Sequence, residues 1–469
     1  MRLRRTRLAR RTVGTRTTAI LLAAALTTLG GVLAGCTPST ASEPATKDAA
    51  APLHDAVSQI SNVMVYDIFS PPQASRVYAY SSIAAYEALR FGDTATYRSL
   101  AGQVNGLEAV PAPAADVALP LAGVHAMMSV ARQMTFSRAR MDSLRDAMDA
   151  RFRREGLSEA AYARSVAYGD TVAARVLAWA ARDGYARSRG MPKFSVTQAQ
   201  GRWVPTPPAY MDAIEPNWGT LRPFVMDSAS MLKPAPPFAF DTARTSPFMR
   251  DAMDVYAAKA TVTDDQRASV AFWDCNPYVM HVQGHTMFAT KKITPGGHWM
   301  SIVGIASRKA HADIRASAEA YARTAIALAD GFISVWDEKF RSAVIRPETV
   351  INQYVDPAWE PLLQTPPFPE YTSGHSGIST AAAVVLTDQF GKDFAFADSS
   401  EMPYGLPVRQ FTSFDQAAAE AAMSRLYGGI HYRRAIEQGV IQGRNVGVLV
   451  VQRIATRTMR PAAQVAARR

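Results

Sequence analysis

The sequence predicts an all-α protein. Ten segments carry apolar residues three and four positions apart, the period of one helix face, and strand-like alternation is scarce. No repeat of 20–50 residues stands out. The first strong helix is announced by Ser70-Pro71-Pro72, a capping residue followed by prolines at helix-starting positions, and continues through RVYAYSSIAAYEALR. The same spacing predicts helices over 118–134, 138–154, 158–184, 247–259, 264–275, 303–335, 376–390, 414–428 and 432–456. Between them, Trp203 to Phe240 is irregular and rich in Pro and Trp. Its aromatics predict a segment packed over a surface, since a structureless loop of that length in a compact protein is functional or a linker.

Apolar content of 48% and charged content of 19% are ordinary for a globular chain with a sizeable core. The net charge of +11 is mostly local. Arg2, Arg4, Arg5, Arg7, Arg10, Arg11 and Arg16 account for seven of it, which leaves +4. The body has no zinc-finger spacing, aromatic RNA-binding motif or Lys/Arg run, so nucleic acid is not an expected partner. The basic start precedes Thr18-Ala19-Ile20-Leu21-Leu22-Ala23-Ala24-Ala25-Leu26 and then small residues, the pattern of an export signal. It closes on Leu33-Ala34-Gly35-Cys36, which resembles the bacterial lipoprotein box. That resemblance implies lipidation at Cys36 and a chain anchored in the cell envelope, facing the periplasm or exterior. Only Cys36 and Cys275 are present, so a lipidated Cys36 leaves no internal disulfide. No later run reaches the roughly 18–20 apolar residues of a membrane span. The expected organisation is a signal over 1–36, a flexible Pro/Ser/Thr/Ala tether over 37–52, helical halves over 53–240 and 241–460, and a tail over 461–469.

Three clusters in the second half carry chemistry. In WDEKFRSAVIRPET, Lys339 and Arg346 lie seven apart, about two helical turns, and Pro347 is expected to end the helix. Two cations aimed one way suit a tetrahedral oxyanion; a solvated basic face is the bland alternative. In FPEYTSGHSG, Ser373 offers a hydroxyl, Gly374 an approachable N–H and His375 an acid–base group, all at an expected helix start. A merely capped helix would show the same residues. In MSRLYGGIHYRR, Arg425 and His431 flank Gly428-Gly429; a capping or core histidine is the bland reading. Together the clusters could hold a tetrahedral dianion and attack or ligate its central atom.

Lys339-x6-Arg346-Pro347, then Ser373-Gly374-His375, then Ser424-Arg425-x5-His431 resembles the vanadium-dependent haloperoxidases and the related type 2 phosphatidic acid phosphatases. Weaker likeness in RVYAYSSIAAYEA, Thr206–Phe224, AFWDCNP and PGGHW points to the soluble bacterial haloperoxidase branch. The resemblance implies two helical bundles with the site in the C-terminal one. It implies vanadate as cofactor, with phosphate able to occupy the same place. His431 would bond the vanadium; Lys339, Arg346, Ser373, Gly374 and Arg425 would hold its oxygens. His375 would be the acid–base residue, and Lys339 would polarise bound peroxide. Hydrogen peroxide and a halide would be the substrates, with hypohalous acid or an equivalent as product. Trp336 and Phe368 match positions on the halide side, and an aromatic at Phe368 resembles the chloroperoxidase choice. Asp274 or Asn276 could brace Arg425. Two positions depart from the family: Thr372 stands where proline is usual, and Ala435 where many relatives carry an aspartate able to orient the histidine. The resemblance therefore names no partner for His431.

Two other functions remain open on sequence. One is a phosphatase that attacks phosphorus with His431 and protonates the leaving group with His375. The other is a lipid-tethered binding module without activity. The remaining histidines receive plain readings. His281-x3-His285 has the helical spacing of a zinc pair but lacks the intervening glutamate. His298 is expected in a turn near the pocket, His311 on a helix surface, and Cys275 as a small buried apolar residue. A dimer or larger assembly is expected because the N-terminal half exceeds what the site needs.

Overall fold

The structure, a computed structural model, describes residues 48–154, 156–197 and 199–458. The signal segment, Cys36, most of the tether and the tail from 459 lie outside the described residues.

Helices dominate. The first six are α1 (Ala51–Tyr66), α2 (Pro71–Leu89), α3 (Leu119–Met134), α4 (Arg138–Arg154), α5 (Glu159–Ala180) and α6 (Tyr185–Arg189). After the irregular stretch come α7 (Pro247–Ala260) and α8 (Asp264–Phe272), a hairpin of β1 (Val279–Gln283) and β2 (Thr286–Thr290), and α9 (Pro295–Lys309). Then follow α10 (Ile314–Ser342), α11 (Pro347–Tyr354), α12 (Gly374–Phe390), a short ladder of β3 (Phe396–Asp398) with β4 (Arg409–Phe411), α13 (Phe414–Tyr427) and α14 (Arg433–Arg453). Both pairs are antiparallel, with His281 opposite Phe288 in the first. Among the described residues no helix is long and apolar enough to cross a membrane.

Local chemistry explains most starts. Ser70, Ser158, Ser246, Thr263, Thr294, Asp313, Ser373 and Ser413 each accept a backbone N–H three residues on. Such a cap satisfies an otherwise free donor and is worth about 1 kcal/mol.

Several expectations change. The stretch 303–335 is not one helix: α9 and α10 are separated by residues 310–313, where His311 takes a left-handed φ of 50° and Asp313 caps the restart. His311 therefore marks a break rather than a helix surface. Ala51 and Pro52, expected in the tether, open α1, and Ala50 is already buried. Pro347 starts a helix instead of ending one. The chain leaves α10 at Ala343, again left-handed, and Pro347 takes the first position of α11, where its missing N–H costs nothing. Lys339 and Arg346 are thus not on one helix face. His281 and His285 sit on the β1–β2 hairpin, where His281 bonds Thr290 Oγ1 at 2.9 Å and stacks on Phe288.

The Trp203–Phe240 stretch is pinned down. Trp203, Trp218, Phe224, Val225 and Met226 are buried. Asp330 of α10 accepts the N–H groups of Phe224 (2.6 Å), Val225 (2.8 Å) and Met226 (3.2 Å). Burial raises the Asp330 pKa to about 6 despite these three donors.

A continuous core links both halves, from Leu53 and Ile83 through Val172 to Ala325, Ile378 and Val446. α10 is its axis. It packs against α2, α9, α12 and α14, and small residues such as Ala318, Ala325 and Gly331 line its buried length. α12 crosses α14 closely where Gly439, Gly443 and Gly447 recur every fourth residue. A Cβ at Gly443 would collide with the Gly377 carbonyl oxygen, and one at Gly439 would lie 2.9 Å from that of Ser373. Gly443→Ala is expected to wedge the helices apart at a cost of roughly 1–3 kcal/mol. An unchanged denaturant midpoint would contradict this packing.

His54 carries a pH consequence. It is buried, its Nδ1 faces Tyr321 Oη at 2.8 Å, and burial together with Arg308 lowers its pKa from 6.5 to about 4. The unfolded chain therefore takes up a proton before the folded one does. Stability should fall as pH drops from 6.5 to 4, by on the order of 3 kcal/mol from this residue. Melting temperatures of His54→Gln should fall less than wild type across that window. Parallel curves would remove His54 as the cause.

Candidate active site

The last turns of α10 present Trp336 and Lys339. Lys339 is fully buried, and its ammonium donates to the carbonyls of Pro369 (3.0 Å), Glu370 (3.0 Å) and Thr372 (2.6 Å). Arg346, capping position of α11, reaches the same loop. Its Nε donates to Phe368 O (2.8 Å), Nη2 to Pro366 O (3.4 Å) and Nη1 to Ile430 O (2.9 Å). Two buried cations thus gather the carbonyls of 366–372. That loop delivers the chain into α12, whose cap is Ser373 and whose first turn holds Gly374 and His375. Thr372 is held where proline is usual by donating to Gln442 Oε1 at 2.6 Å.

Arg425 comes from the last turn of α13. It is buried, with Nη2 donating to Trp273 O at 2.8 Å and Nε to Ser424 Oγ at 3.1 Å. Asp274 instead pairs with Lys292 at 2.8 Å, so the hydrogen bond that braces Arg425 is the Trp273 carbonyl and not Asp274 or Asn276. His431 follows Gly429, whose φ of 80° turns the chain back into α14.

These elements enclose a cavity of about 470 Å³. Gly374, His375, Arg425 and His431 line it, with Trp336 and Phe368 among its aromatic and aliphatic walls. Lys339, Arg346 and Ser373 lie behind that wall, where their charge and dipoles still act. Met211 and Ile214 from the irregular stretch also line the cavity, and Trp336 Nε1 donates to Ile214 O at 3.2 Å. Trp336 and Phe368 pack at 4.9 Å, with Lys339 Nζ 5.1 Å and Arg346 Cζ 5.0 Å from the Phe368 ring centre.

The sequence reading missed the partner of His431. Glu370 Oε1 lies 2.7 Å from His431 Nδ1 and accepts the Tyr432 N–H at 3.0 Å. The role expected at position 435 is filled from another loop, and Glu370 stands three residues ahead of Ser373 in the motif itself. Burial pushes the Glu370 carboxyl up to about 8. Arg346 Nη1 can only donate, so Nε2 of the neutral ring, 3.3 Å away, is the acceptor and Nδ1 carries the hydrogen that Glu370 Oε1 receives. Burial, then Arg346 and Lys339, hold the His431 ring well below its ordinary value.

His375 is oriented from the opposite side. Its ring bonds the Trp273 carbonyl, and its Nε2 is buried without a hydrogen-bond partner. Burial and then Arg425 depress its pKa, so the ring is neutral with a free lone pair. Burial likewise lowers the pKa of Lys339, Arg346 (to about 10) and Arg425. Lys339 and Arg346 share Glu370, whose carboxyl burial holds largely protonated, and Arg425 has Asp274 nearby, so the cradle is short of negative charge. A helix N-terminus, three cations, a His431 Nε2 that meets only the Arg346 guanidinium and an orphaned His375 Nε2 fit a tetrahedral oxyanion whose central atom accepts a nitrogen ligand. Vanadate meets that description.

Fold and site together define an all-α oxyanion-binding enzyme. Residues 319–459 match the VCPO second helical-bundle domain. The chain is 48% identical to a bacterial vanadium-dependent iodoperoxidase of known crystal structure, over 88% of this chain and 98% of that one, with a TM-score of 0.83. A bacterial vanadium-dependent chloroperoxidase in its holo form shares the fold at 16% identity, covering 82% and 93% of the two chains, with a TM-score of 0.61. Comparison with curated proteins gives no match. The chain belongs to the vanadium-dependent haloperoxidases, and it is an enzyme with vanadate as its cofactor.

Proposed function

We propose that this haloperoxidase takes iodide as its preferred halide, and that the residues gathered at the cavity carry the reaction. The observation that carries the reading is a pair of buried neutral imidazoles at one cation-backed cavity, His375 with its Nε2 unpartnered and His431 with its Nε2 meeting only Arg346 Nη1. Lys339, Arg346, Ser373, Gly374 and Arg425 would hold the vanadate oxygens, and His431 Nε2 the vanadium. Bound vanadate supplies a Lewis-acidic V(V) centre that activates hydrogen peroxide toward a halide. The protein does the rest. His375, neutral and fixed by the Trp273 carbonyl, accepts a proton from incoming hydrogen peroxide and returns it to the departing oxygen. The buried charge of Lys339 and Arg346 stabilises developing negative charge without reorganising. Trp336 and Phe368 keep water from the reacting face.

Two things support iodide: the 48% identical relative is an iodoperoxidase, and the cavity wall suits a large, weakly hydrated and easily oxidised anion. The test loads the chain with orthovanadate and compares iodide, bromide and chloride with hydrogen peroxide. Triiodide absorbance reports the first, halogenation of a phenolic dye the others. Iodide should show the highest kcat/KM, and phosphate should suppress all turnover. Chloride matching iodide would overturn the halide. A folded, loaded chain that oxidises none, yet hydrolyses a phosphate ester when vanadate-free, would make the site a phosphatase.

The export pattern supports lipid anchoring at Cys36 in the cell envelope, facing the periplasm or exterior. Membrane-bound enzyme released by Cys36→Ser would bear this out; Cys36→Ser remaining bound would not. A dimer rests on the size of the N-terminal half, and a single monomeric species by light scattering at micromolar concentration would rule it out.

A further inference from the structure

At the edge of the cavity lies a second buried cluster with no part in the chemistry above. Cys275 follows α8, His298 lies in the first turn of α9, and Glu401 follows β3. None is more than 1% exposed. Cys275 Sγ is 3.4 Å from His298 Nδ1 and 3.9 Å from Glu401 Oε1, and Nδ1 is 3.0 Å from that oxygen. Asp398 Oδ2 meets the other ring nitrogen, Nε2, at 2.8 Å. The second oxygen of Glu401, Oε2, is buried without a hydrogen-bond partner.

An imidazolium bridging Asp398 and Glu401 accounts for part of this. It does not account for the orphaned Oε2, nor for a thiol and a carboxylate converging on the same ring nitrogen. We propose that Cys275 Sγ, His298 Nδ1 and Glu401 form a structural binding site for a zinc-type divalent cation. Zinc bonds of about 2.0–2.3 Å in a tetrahedron set ligand atoms about 3.4–3.6 Å apart. The three observed edges bracket that span. One thiolate, one imidazole and one carboxylate form a borderline-soft set that selects zinc over calcium or magnesium. Asp398 on the remote nitrogen is the outer carboxylate that fixes a metal-bound histidine. Binding releases the thiol proton and the Nδ1 proton for one divalent cation, so the buried net charge is unchanged.

The location gives the site its use. Trp273 stacks on His298 at 4.4 Å and 16°, and the Trp273 carbonyl holds Arg425 and His375. A cation fixing His298 therefore fixes the wall that orients both. Cys275 lines the cavity, which provides a way in. The cations of the vanadate cradle repel a divalent metal, so the two sites do not compete.

The test uses the full chain carrying Cys36→Ser, in which Cys275 is the only thiol. Titrated with cobalt(II), it should develop a near-ultraviolet thiolate-to-cobalt band that saturates at one ion per chain and is displaced by zinc. Asp398→Asn in the same background should keep the band but bind cobalt about 10–100-fold more weakly. Absence of the band in excess cobalt, with no zinc retained through purification, overturns the site. The Cys36→Ser chain decides this alone, so a further variant that fails to fold does not matter. The readout is spectral and independent of haloperoxidase turnover.

Discussion

His375→Ala is expected to slow halide oxidation by about 10²–10⁴-fold while orthovanadate affinity changes only a few-fold. The proposed site assigns these two roles to different residues. His375 lines the cavity and its Nε2 is buried without a partner, while the Trp273 carbonyl takes the other side of the ring. In the proposed site the oxyanion would instead be met by the cations, the α12 N-terminus and His431. Deleting His375 therefore removes a proton acceptor and little binding. Affinity is read from the rise in melting temperature with orthovanadate, since a ligand that binds the folded state stabilises it by mass action. Turnover is read separately at saturating vanadate. Equal losses in both would place His375 among the binding groups and sink its acid–base role.

Glu370→Ala should do the reverse and weaken orthovanadate binding by about 10–100-fold, the usual cost of losing the partner of a ligating histidine. Two effects oppose each other here. Removing Glu370 frees the His431 Nδ1–H and lets the ring turn, which weakens binding. It also removes a carboxylate beside an anion site, which strengthens binding. With its pKa pushed up to about 8, Glu370 is mostly uncharged at pH 7, so orientation wins. Above pH 8 the wild-type carboxylate is ionised and repels the anion. The affinity gap between wild type and variant should therefore narrow as pH rises through about 8. A gap that is absent at pH 7, or that widens with pH, would contradict the role assigned to Glu370.

The fold class was legible because amphipathic periodicity is local. Helix starts at Ser70 and Ser373 were readable for the same reason, since a cap and its first turn are neighbours in sequence. Breaks were less legible. Residues 303–335 hold apolar residues at helical spacing throughout, and the stop at 310–313 rests on a left-handed His311 and a capping Asp313. Pro347 was read as a stop because a proline both ends helices and starts them, and the preceding turn decides which.

At the site, Lys339, Arg346, Ser373, Gly374, His375, Arg425 and His431 stood in the sequence as cations, small residues and imidazoles in a recognisable order. Their type and order alone marked an oxyanion site. Their partners did not stand there. Glu370 reaches His431 across 61 positions, and the Trp273 carbonyl reaches Arg425 across 152. The approach of α12 to α14 depends on which glycines face one another. Residue chemistry is carried by the side chain and survives in a string of letters. Orientation, tautomer and burial depend on atoms brought together from distant positions, and only the tertiary structure decided those.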